Sequence, residues 1–157
     1  MNYLNDIIQG TIGWFHFTTS VMAMITGLVV IFNPKGTIFH KRVGYVYVVS
    51  MLALNISSFF IVNFGGFSLF HFFAIVSLAS IFGGMFPTLQ KKKNWLGYHY
   101  YFMSWSVVGL YCAFWSEVGT RFVGNMKEFW WMVLLATVLT AMIGGIIINK
   151  KAKKINL

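Results

Sequence analysis

The sequence predicts an all-α integral membrane protein of about five transmembrane helices, forming a single membrane domain over 1–157. Three observations carry this. Of the 157 residues, 58% are apolar and only 10% are charged, against about 25% charged in an ordinary soluble domain. The apolar residues fall into five blocks, each near the roughly 20 residues that a helix needs to cross a hydrocarbon core. The basic residues lie mostly between those blocks and at the C-terminus.

The first block covers about 7–32 and is closed by Asn33, Pro34 and Gly36, a cluster in which proline cannot extend the helix. The opening stretch MNYLNDIIQG lacks the basic region and cleavage site of a secretory signal, so this helix is expected to be retained. The second block, about 43–63, ends at Gly65 and Gly66, and the third, about 67–86, stops at Pro87. Lys91, Lys92 and Lys93 precede the fourth block, about 96–116, and the fifth, about 129–148, runs into Lys150, Lys151, Lys153 and Lys154. With Lys35, Lys41 and Arg42, these make ten of the twelve Lys and Arg, placed in alternate connections and the tail. Segments rich in Lys and Arg stay in the cytoplasm, so the N-terminus is expected outside and the C-terminus inside. The acids Asp6, Glu117 and Glu128 then fall outside. Trp14, Trp95, Trp130 and Trp131 sit near block ends, where indole rings anchor a helix at the lipid interface. The tail KKAKKINL either fixes orientation or attracts anionic lipid.

A net charge of +9 in a soluble protein would suggest nucleic acid, but these charges read as topology signals and no basic face with stacking aromatics is present. The lipid bilayer is the expected partner, and nucleic acid is not. Cys112 stands alone inside an apolar block, so no intrachain disulfide forms and the thiol reads as a small packing residue. No Ser/His/Asp set, carboxylate pair or phosphate-binding glycine loop is present, which disfavours hydrolysis and phosphoryl transfer and leaves catalytic residues unknown.

Ionisable groups inside a membrane span are costly and mark functional sites. Four histidines, His16, His40, His71 and His99, lie near one end of the first four helices. With the expected orientation, His16 and His71 share the outer level, while His40, just before the second helix, and His99 share the inner one. Helical spacing aligns Gly13, His16, Ser20, Ala23 and Gly27 on the first helix and His40, Gly44, Tyr47, Met51, Asn55 and Ser58 on the second. On the fourth it aligns His99, Met103, Ser106, Ala113 and Glu117. The fifth offers only Thr137, Thr140 and glycines, so a four-helix core with a peripheral fifth helix is expected. Two histidines per level suit two bis-histidine haem b irons stacked across the membrane, as in an electron carrier with a redox or membrane-protein partner. Taken singly, each histidine reads as an interfacial or hydrogen-bonded packing residue, and only the pairing by depth points to haem, which leaves a small transporter or assembly factor without a cofactor as the alternative. His99 and Met103, four apart, form a weaker copper(I) candidate. Glu117 and Arg121, also four apart, read as a structural clasp or a proton or substrate entry group.

The stretches NPKGTIFHKRVGYVYVVSM, FHFFAIVSL and WLGYHYYFMSWSVVGLYCAFWSEVGTR, with the early histidine of GWFHFTTSVMAMITG, resemble a bacterial multi-pass family, domain of unknown function 2306. The resemblance covers roughly residues 10–125 and rests on His16, Lys35, Gly36, His40, His71, His99, Met103 and Ser106. It implies a multi-pass protein of the bacterial cytoplasmic membrane with no assigned reaction. A fainter similarity, through the His40 to Gly44 spacing, is to diheme transmembrane b-type cytochromes that pass electrons from ascorbate or quinol.

Overall fold

The computed structural model describes residues 10–61, 66–120 and 125–155, with the side chains of 119 and 120 excepted. Among the described residues every regular element is an α-helix: α1 (Gly10–Phe32), α2 (Ile38–Ser58), α3 (Leu69–Leu89), α4 (Trp95–Thr120) and α5 (Met126–Lys154). Three of them, α1, α3 and α5, are long and apolar enough to cross a membrane. The other two, of 21 and 26 residues, carry more polar groups within a comparable length. Asp6 and Arg121 lie outside the described residues, so the expected Glu117–Arg121 pair does too.

Local chemistry sets the helix ends. After α1 the Lys35 ammonium folds back onto the carbonyls of Val30 and Ile31, the latter at 2.9 Å, which satisfies acceptors that the last turn leaves open. Gly36 then takes a left-handed φ of 79° that an ordinary side chain resists. Thr37 caps α2, its hydroxyl accepting from the His40 amide at 3.0 Å. That cap starts α2 at Ile38, five residues before the expected 43, so His40 lies in the first helical turn rather than before it.

Pro87 does not stop α3, which continues to Leu89. Proline removes the amide donor that would meet the Gly83 carbonyl, and the helical bonds around it carry the chain on to Leu89. The hydroxyl of Thr88 donates to the Gly84 carbonyl at 2.7 Å, and the Lys92 amide closes on the Pro87 carbonyl at 3.0 Å. Asn125 caps α5 by accepting from the Glu128 amide at 2.9 Å. Glu128 in the first turn and Lys151, Lys153 and Lys154 in the last match the helix dipole, which carries α5 beyond its apolar block to Lys154.

The chain divides into two compact units, residues 1–81 and 82–157, with the division inside α3. In the first, α1 packs on α2. The inward face of α1 is made of small residues, Ala23, Thr26 and Gly27, and that of α2 includes Tyr47, Met51, Leu54 and Asn55. Most of the expected small-residue stripe of α1 is therefore turned inward, with Gly13, His16 and Ser20 half-buried. The amide of Asn55 donates to Met51 within α2 at 2.7 Å and to the Ser77 hydroxyl of α3 at 3.0 Å, giving a buried polar group partners on two helices.

In the second unit α4 packs on α5. Tyr100, Val108, Ile148 and Ala152 form a buried cluster, with Cys112 against it. A methyl group at Gly144 would overlap the Val108 side chain, whose Cγ1 stands 2.8 Å from that position, so the two backbones approach closely at this glycine. The Tyr100 hydroxyl donates to the Ile148 carbonyl at 2.7 Å. The fifth helix thus approaches α4 closely where Gly144 admits the branched side chain of Val108.

Candidate histidine sites

His16 projects from α1 toward the end of α2, where its Nδ1 lies 3.0 Å from the Ser57 hydroxyl. That hydroxyl donates to the Leu54 carbonyl at 2.8 Å, so its oxygen accepts from Nδ1–H. The tautomer this favours leaves the lone pair on Nε2, the arrangement of a metal-ligating histidine held by an outer hydrogen bond. Ser57 is itself buried, so the relay is shielded from competing water.

His71 is buried at the start of α3. Its Nδ1 accepts from the Ser68 amide at 3.0 Å and faces the Ser68 hydroxyl at 2.8 Å. Ser68 precedes the helix by one residue and His71 is its third, so the ring reaches back to satisfy an amide that the first turn leaves open, as the acidic or amide residue of a capping box does. An accepting Nδ1 places the proton of neutral His71 on Nε2. The ring stacks on Phe67, with centroids 5.4 Å apart at 27°, and leans on Phe59 at 5.9 Å. His16 and His71 thus both meet residues at the C-terminal end of α2, Ser57 for one and Phe59 for the other.

His40, in the first turn of α2, is half-buried with its Nδ1 shielded from solvent. It belongs to the first unit. His99 belongs to the second, where its Nδ1 lies 3.4 Å from the Gly84 carbonyl of α3 and its ring lies against Trp95 at 6.5 Å. Nδ1 must donate to a carbonyl, so this long contact again favours a lone pair on Nε2.

Met103, the weaker copper candidate with His99, is buried, and its Sδ stands 2.9 Å from where a Gly84 methyl would be. Gly84 therefore meets both His99 and Met103. Among the described residues no three His, Cys, Asp or Glu side chains gather closely enough to share a metal ion. A bis-histidine iron needs only two.

Sequence spacing did not single out Ser57, Ser68 or Gly84. Ser68 was open to discovery, because Ser-x-x-His at the head of an apolar block has the spacing of a capping box. The link from His16 to Ser57 joins residues 41 apart and leaves no local signal.

An exterior of exposed apolar side chains, with polar groups turned toward neighbouring helices, defines an α-helical membrane protein. The family described as "Predicted membrane protein (DUF2306)" matches residues 13–150, and the chain belongs to it. Neither the curated proteins nor the solved structures yield a match.

Proposed function

We propose that the chain is a haem-binding electron carrier of the bacterial cytoplasmic membrane, with five spans, the N-terminus outside and the basic tail in the cytoplasm. The observation that carries this reading is the Leu54–Ser57–His16 relay, which directs the Nε2 lone pair of His16 away from its protein partner. His71, at the same end of α2, is the second outer ligand, and His40 and His99 are each a candidate inner ligand. For His71 to offer Nε2 to an iron, its ring proton would have to sit on Nδ1, which would give up the Ser68 amide contact.

A reduced-minus-oxidised visible spectrum of protein produced with ample haem tests the reading. Bis-histidine haem b is expected, halved by His16→Ala and altered in position or potential by Ser57→Ala, which removes the outer hydrogen bond. Protein that purifies colourless and stays so after reconstitution would end it. Reporter fusions after Lys93 and Lys154 test the topology, and both are expected to be cytoplasmic.

The cofactor-free reading, a small transporter or assembly factor, is favoured by one observation, the capping role of His71. Glutamine is a good third residue of a capping box and a poor haem ligand, so His71→Gln separates the two readings. In the haem reading it removes the outer haem and leaves the fold intact. In the structural reading it is silent, while His71→Ala costs about 1 kcal/mol.

A further inference from the structure

The first turns of α4 carry a groove of about 350 Å³ lined by Asn94, Gly97, Tyr98, Tyr101 and Phe102. These residues recur at helical spacing, so they form one stripe, about 12 Å long at 1.5 Å per residue. Gly97 is its floor, since a methyl group there would meet nothing within 4 Å. Tyr98 and Phe102 stack nearly parallel, with centroids 6.4 Å apart at 20°, and make one apolar wall.

One end of the stripe is strongly charged. Lys91, Lys92 and Lys93 immediately precede Asn94 and are all exposed. The Lys92 ammonium sits 4.4 Å above the Phe86 ring, at the end of α3. From Thr88 to Ser116 the chain contains no acid, so the three lysines adjoin in the chain the Asn94 end of an open apolar groove, with no carboxylate nearby in sequence. A ligand that fits has a negative head and a long apolar tail. A free phosphate would leave the channel open, and a neutral lipid would leave the charges unmatched.

We propose that this groove holds one anionic phospholipid, its phosphate among Lys91, Lys92, Lys93 and Asn94 and one acyl chain lying over Gly97 between Tyr98, Tyr101 and Phe102. Basic clusters beside membrane helices gain roughly a factor of five in affinity for acidic lipid per lysine. The channel makes the attraction a defined site, because a chain seated in it displaces less ordered lipid and brings the head to one place.

Gly97→Leu tests the site without endangering the fold. The new side chain enters open space, and leucine favours the helix more than glycine does. The full-length protein in detergent is titrated with phosphatidylglycerol, phosphatidylcholine or inorganic phosphate, following bound lipid by native mass spectrometry and the melting temperature in parallel. Phosphatidylglycerol is expected to bind the native chain one to one and raise its melting temperature. Phosphatidylcholine at the same fraction and phosphate alone are expected to do neither. Gly97→Leu should weaken that binding about tenfold or more with an unchanged or higher basal melting temperature, and K91Q/K92Q/K93Q should erase the preference over phosphatidylcholine. Replacing the tail lysines Lys150, Lys151, Lys153 and Lys154 by Gln should leave the bound lipid in place. Equal binding of the two lipids, or binding lost with the tail and kept in Gly97→Leu, would overturn the proposal.

Discussion

The two units hold their helices together with different chemistry. In the first, the bonds seen to cross between helices among the described residues include two that join one side chain to another, His16 to Ser57 and Asn55 to Ser77. In the second they run from a side chain to a backbone carbonyl, from Tyr100 to Ile148, Cys112 to Thr137 and His99 to Gly84. A side-chain acceptor can be deleted by mutation, whereas a helix carbonyl remains whatever residue carries it. The second unit depends instead on backbone proximity, which its glycines provide. Lipid supplies no hydrophobic drive between helices, so close packing and polar bonds are the available routes, and both units use both.

The largest expected effect therefore lies at Gly144. Gly144→Leu must push α5 off Val108, a β-branched residue with little rotamer freedom. We expect a loss of about 3 kcal/mol or more, read as a large fall in melting temperature or failure to accumulate in the membrane. Gly84→Ala should cost less, about 1 kcal/mol, because the group it meets is the flexible Met103 side chain. If Gly84→Ala proves the more damaging, backbone proximity is not what holds α4 to α5.

Effects from the polar bonds should be smaller. Tyr100→Phe removes one buried bond and is expected to cost about 1 kcal/mol by thermal unfolding in detergent. Asn55→Ala and Ser77→Ala should each cost about 0.6 kcal/mol, and the double variant should cost less than their sum, since each single change already breaks the shared bond. Full additivity would mean that the pair does not join α2 to α3. The smallest effect is expected at Gly109, where an added methyl meets nothing, so Gly109→Ala should gain up to about 1 kcal/mol from helix propensity alone.

Block length and composition were enough to place five helices, because the apolar content of a membrane helix is written along its whole length. The ends were less readable. Thr37 opens α2 ahead of its apolar block, and Pro87 falls within the last turn of α3 rather than after it. The stripe expected on α4 holds at Met103 and Ser106, which are buried, and fails at Ala113 and Glu117, which are exposed. Leu110 and Ser116 are buried there instead. The candidate histidines stood out as ionisable groups among apolar neighbours. Their hydrogen bonds did not, because Ser57 and Gly84 are ordinary residues until the fold brings them near. The close approach of α5 to α4 is not legible for a related reason, since Gly144 and Gly145 differ from any other small pair only through the side chains opposite them.

The bond from Tyr100 to Ile148 also has a temporal side. Its acceptor is made 48 residues after its donor, and the glycine that receives Val108 is nearly as late. As the ribosome delivers the chain, α4 emerges with its tyrosine hydroxyl and must wait for α5 before that group meets its acceptor. The helix that supplies the acceptor is the most hydropathic of the candidate spans, and it follows α4 in the chain.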